Sequence, residues 1–160
     1  MQVVPLVREQ GFLGATLAAT GVSGIPIAGL GGTAFFGSPA LFVLGLGVPV
    51  LVGRRLGAGR EPEGEAPEAP PLAVVEDPWR TALRMVPTFG LAVALIVGSA
   101  HLAGPLAAPV GGLITGLGVL ELSLIPEVSR WERRHDRPLY APASWFLLVR
   151  SSIVYQPRPR

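Results

Sequence analysis

Three side chains that could do chemistry lie in or beside long apolar stretches of this chain: Glu121, Arg84 and His101. A carboxylate within a membrane helix is costly and is found paired, hydrated or functional. Glu121 follows directly on such a stretch, so it offers either a proton- or cation-binding site in a transport path or an ion pair joining two helices. Arg84 stands just before the preceding apolar stretch, and an antiparallel return would bring it to a comparable depth. The spacing therefore predicts that Arg84 and Glu121 approach each other. His101 is expected near the outer end of the helix that Arg84 leads into, where interfacial water reaches it.

The elements that must position these residues are two charge-free runs. Gln10 to Gly53 contains no Asp, Glu, Lys, Arg or His, and Met85 to Leu120 contains only His101. At about 1.5 Å per residue, each run is about twice what one helix needs to cross a hydrocarbon core of roughly 30 Å. Inside lipid every backbone polar group needs an internal partner, and no alternation of apolar and polar residues suggests a barrel. The fold class expected is all-α: a polytopic membrane protein of two transmembrane hairpins, four helices in all.

Charge placement sets the orientation. All thirteen basic residues are Arg, and they fall before the first run, between the runs and after the second. By the bias of positive charge towards the cytoplasm, both termini and the central loop are expected there, in a multi-pass protein of the cell membrane. The formal charge of +2 against eleven carboxylates gives no footprint for a nucleic-acid partner. The absence of Cys removes disulfides and thiolate chemistry. Richness in Arg, Ala, Gly and Pro suits a GC-rich, bacterial coding sequence.

In chain order, residues 1–55 form the N-terminal hairpin, with a first helix from about Gly11 to Ala28 and a second over roughly Ala34 to Gly53. Its turn falls somewhere between Gly29 and Pro39, where Gly and Pro supply turn chemistry. Residues 56–77, rich in Glu, Pro and Ala, bury too little apolar surface to order themselves and are expected to form a flexible cytoplasmic loop. Residues 78–126 form the second hairpin. Asp77-Pro78-Trp79 supplies an N-cap, a Pro at the first helical position and an interfacial aromatic. Residues 127–160 form a basic, aromatic tail lying on the inner leaflet, with Pro138 ending a helical extension of the last crossing.

Small residues recur every fourth position, as Gly24 in the first helix, Gly90 and Gly98 in the third, and Gly112 and Gly116 in the fourth. Such stripes let helix backbones approach closely, so these five glycines are the expected packing positions. Leu41 to Arg55 also has a faint parallel in Leu117 to Arg134, as a duplicated hairpin would leave.

Two motifs bear on catalysis or cofactors. Gly29-Leu-Gly31-Gly32-Thr-Ala34 fits the dinucleotide-loop spacing, yet it lies within a charge-free run and lacks the following acidic residue, so no cofactor is expected. Gly21-Val-Ser23-Gly24 with Ser99-Ala-His101-Leu-Ala-Gly104 is similar to the serine and histidine motifs of rhomboid intramembrane proteases. The resemblance implies Ser23 as nucleophile and His101 as base. It covers ten residues; the family's larger helical core and other motifs have no counterpart here, and its serine helix runs inward where this one is expected to run outward. No metal-binding or paired-carboxylate motif is present.

The expected function is therefore non-enzymatic: an accessory, scaffolding or self-associating membrane subunit, with the lipid bilayer and a membrane-protein partner or further copies of itself as partners. The runner-up is a small oligomeric transporter or channel using Glu121.

Overall fold

The computed structural model describes residues 2–29, 38–55, 74–136 and 138–143. In chain order the elements are β1 (Gln2–Pro5), α1 (Leu6–Val22), α2 (Gly24–Gly29), α3 (Ser38–Arg55), β2 (Val74–Val75), α4 (Pro78–Arg84), α5 (Val86–Leu102), a 3-10 turn (Gly104–Leu106), α6 (Ala107–His135) and β3 (Tyr140–Pro142). The fold is mostly helical, and among the described residues three helical stretches are long and apolar enough to cross a membrane: Leu6–Ala28, Pro78–Leu102 and Gly104–His135. A shorter apolar helix covers Pro39–Gly53.

The first and third of the helices expected from the sequence are each broken into two pieces. Pro26 lacks the N–H that Val22 would need as a partner, and the chain breaks beside it at Ser23, whose N–H bonds the Thr20 carbonyl at 3.1 Å. Pro87 likewise has no N–H for the Leu83 carbonyl, and the α4–α5 break falls at Met85. Pro49 lies within α3 without ending it.

Helix α6 is the central element. At about 1.5 Å per residue its 29 residues span about 43 Å. Both α1 and α3 make their main contacts with it. Along α1, Gly14 lies opposite Gly118 and Gly21 opposite Gly111 and Thr115, and Gly24 at the start of α2 lies opposite Ala107, so α1 and α6 run antiparallel. Along α3, Phe42 lies opposite Gly112, Leu46 opposite Gly116 and Gly53 opposite Leu120, so these two run parallel. At Gly24, Gly111, Gly112 and Gly116 the neighbouring backbone occupies the place of a side chain, whereas at Gly53 the nearest atoms belong to the Leu120 side chain. A Cβ on Gly24 would stand 2.5 Å from the Ala107 carbonyl oxygen, and one on Gly116 would stand 2.5 Å from that of Leu46. The core between the helices contains Leu13, Leu17, Phe42, Ile96 and Ile114.

The all-α expectation needs one correction. A three-stranded sheet of order β2-β1-β3 closes one end of the bundle, with β1 parallel to β2 and antiparallel to β3. Val3 pairs with Val75 on one side and Pro142 on the other. Val3 and Val4 point to opposite faces of the strand and both are buried, so β1 is covered on both sides, whereas Val74 and Val75 of β2 are exposed. Beside it, Leu6, Trp131, Leu139 and Ala141 form a second apolar cluster. Val74 to Asp77, assigned from composition to the flexible loop, is therefore part of the fold, and so is Tyr140 to Pro142 of the expected interfacial tail. The first hairpin turn, the loop over 56–73 and the tail from 144 onward lie outside the described residues.

Candidate functional site

Helix α1 begins at Leu6, five residues earlier than the apolar run suggests, and this puts Arg8, Glu9 and Gln10 on a helix. Leu6, Glu9, Leu13 and Leu17 follow helical spacing and are all buried, so Glu9 is carried on the inward face of α1. Glu76 follows β2, where its N–H donates to the Val3 carbonyl at 2.9 Å. Arg84 is the last residue of α4. These three charged side chains meet at the sheet end of the bundle with exposures of 5% for Glu9, 5% for Glu76 and 3% for Arg84.

The geometry is that of a built ion cluster. Arg84 donates from Nη2 to Glu76 Oε2 at 2.8 Å and from Nε to both Glu76 oxygens at 3.1 Å. Its Nη1 lies 3.8 Å from Glu9 Oε1. Thr81, one turn before Arg84, donates its hydroxyl to Glu76 Oε2 at 3.1 Å. Arg8 Nη1 donates to the Glu76 main-chain carbonyl at 2.8 Å. Burial of such charges is offset only when paired and hydrogen-bonded, and the Glu76–Arg84 pair is both. The cluster ties α1, the β2 segment and α4 to one another.

Arg84, read from the sequence as the partner of Glu121, thus has its guanidinium against Glu76 and Glu9. Glu121 is half-buried on α6, one turn beyond Gly118, which packs on α1. His101 is exposed near the end of α5. Ser23 is half-buried and donates its hydroxyl to the Thr20 carbonyl at 2.6 Å. Among the described residues no hydrogen bond joins Ser23 to His101.

The glycines divide into two sets. Gly24, Gly112 and Gly116 lie against the backbone of a neighbouring helix, whereas a Cβ built on Gly90 or Gly98 would meet nothing within 4 Å. Gly14, Gly21, Gly45, Gly111 and Gly118 share the tight contacts and were not singled out from the sequence. Their pairing depends on which helices are neighbours, and spacing within one helix does not reveal that. Glu9 and Glu76 were also missed; the inward periodicity of Leu6, Glu9 and Leu13 was the signal available for Glu9. No protein family, no curated protein and no solved structure matches this chain.

Proposed function

We propose that the chain is a four-crossing integral membrane protein, α3 supplying the short crossing, that works without catalysis as a self-associating subunit. The observation that carries the reading is the outer face of α5. This helix buries only Thr88, Ala92 and Ile96. Gly90, Ala94 and Gly98 form an exposed stripe at four-residue spacing, flanked by exposed Phe89, Leu91, Leu95 and Val97. Gly112 and Gly116, at the same spacing, sit in helix contacts, and here the same device faces outward. A stripe of small residues permits a second helix to approach closely enough for backbone packing in lipid. The test is the size of the protein in nanodiscs: wild type is a dimer or larger, and Gly90→Ile with Gly98→Ile shifts it to the monomer while helix content is kept. A wild-type monomer contradicts the reading.

A second reading is supported by Glu121, a half-buried carboxylate at the end of an apolar stretch on the central helix. It makes the assembly a conduit for protons or cations. Flux in proteoliposomes that is present in wild type and lost in Glu121→Gln, with assembly unchanged, favours this reading. Absence of flux under proton, sodium and potassium gradients leaves self-association alone.

A further inference from the structure

Beyond Pro126, helix α6 continues for about two and a half turns, as far as His135. Arg130, Arg133 and Arg134 are all exposed there. At about 100° per residue their positions fall within an arc of about 100°, one face of the helix. Glu132 lies on the far side. Glu132 Oε1 accepts the Leu139 N–H at 2.8 Å, and Asp136 stands at the helix C-terminus with φ 50°. Glu127, earlier in the segment, has its Oε2 buried. Glu127, three residues before Arg130, borders this arc, on which the three Arg outnumber it.

This face is held in place. Trp131, on another side of the same turn, is buried among Leu6, Leu139 and Ala141 and stacks on His135 with ring centroids 4.1 Å apart. Leu6 N–H bonds the Leu139 carbonyl at 2.9 Å, so the sheet and α1 brace the end of α6.

Its depth is set by the apolar part of the helix. Ala107 to Ile125, with Glu121 its one charged side chain, is nineteen residues, about 28 Å, which nearly matches a hydrocarbon core of roughly 30 Å. Arg130 then lies about 8 Å past the last apolar residue and Arg134 about 14 Å past it. The headgroup layer is roughly 5–8 Å thick on each side, and charge is felt for a further Debye length of about 8–10 Å. All three guanidinium groups, on side chains that extend towards the interface, fall within this zone.

We propose that the Arg130, Arg133 and Arg134 face of α6 is a binding surface for anionic phospholipid headgroups of the leaflet at the sheet end. Guanidinium groups match phosphate oxygens in pairs, and each basic residue near a charged leaflet adds to the attraction. The proposal rests on the reading of α6 as a membrane-crossing helix.

The test is lipid selectivity at the protein surface, measured with spin-labelled phosphatidylglycerol and phosphatidylcholine in vesicles. Wild type favours phosphatidylglycerol by threefold or more, on the order expected for several basic groups at the surface. In Arg130→Gln/Arg133→Gln/Arg134→Gln the ratio falls to about one, and the corresponding three Arg→Lys changes, which keep the charge, hold it above one. Arg133→Gln alone lowers the ratio partway and serves where the triple variant loses helix content. A wild-type ratio of one, or a folded Gln variant with the wild-type ratio, overturns the proposal. Glycerol phosphate in solution leaves the ratio unchanged; competition by it would assign the face to soluble phosphates and overturn the lipid assignment. Resistance of the protein to carbonate extraction is measured alongside. Protein that stays in the membrane with a ratio of one removes only the lipid site, whereas protein that is extracted removes the membrane reading as well.

Discussion

Arg84 Nη2 stands 2.8 Å from Glu76 Oε2, and the two side chains are almost wholly buried at the point where α4, β2 and α1 converge. Each holds the other's charge out of water, and Thr81 and Glu9 complete the surroundings. Arg84→Leu leaves the two carboxylates without their shared guanidinium and is expected to cost about 3–5 kcal/mol. Arg84→Lys keeps the charge without the fork of donors and falls between the two. Denaturation in detergent, followed by loss of helix signal, gives the order wild type, Lys, Leu; equal stability of all three contradicts the assignment.

Glycine contacts on α6 provide a second prediction. A Cβ at Gly112 meets the Phe42 carbonyl, whereas one at Gly47 meets nothing within 4 Å. Gly112→Leu forces α3 away from α6 and is expected to destabilise by about 1–3 kcal/mol or more. Gly47→Leu, on the open side of α3, is expected to be neutral or slightly stabilising through helix propensity. The same denaturation measurement separates them.

Much of the helical fold was legible because solvent physics acts locally: forty-four residues without a charge can be read from composition alone. What was not legible depends on partners distant in the chain. Glu9 reads as the polar end of a tail until Arg84 is brought beside it, and Val74-Val75 reads as the end of a Pro-rich loop until β1 supplies a ladder. Pro26 and Pro87 lie just after the breaks at Ser23 and Met85, yet a proline alone does not distinguish a kink from a break, since Pro49 lies inside α3. Of the site, Arg84 was identified from its position, but its carboxylates Glu76 and Glu9 lay outside the apolar runs that directed attention to Glu121.

Thr115 allows an unusual prediction. Its Oγ1 is buried against Gly21 and has no hydrogen-bond partner. Thr115→Val keeps the shape and removes an unsatisfied hydroxyl, so it is expected to raise stability by about 1 kcal/mol. A loss of that size in the denaturation midpoint would show that the hydroxyl is bonded in the membrane.

Ser23 and His101 provide a chemical prediction. Ser23 gives its hydroxyl to the Thr20 carbonyl, and among the described residues no hydrogen bond joins it to His101. A fluorophosphonate probe is expected to label neither wild type nor Ser23→Ala. Labelling of wild type that disappears in both Ser23→Ala and His101→Ala would restore the protease reading.

The outer face of α5 is tested most directly by cross-linking in native membranes. The chain contains no Cys, so a single introduced thiol reports one position without background. Under mild oxidation Ala94→Cys, in the middle of the Gly90 and Gly98 stripe, is predicted to form a disulfide-linked dimer, while Gly47→Cys on the open side of α3 remains monomeric. Dimer at Gly47→Cys and none at Ala94→Cys, or none at either, would contradict assembly through α5.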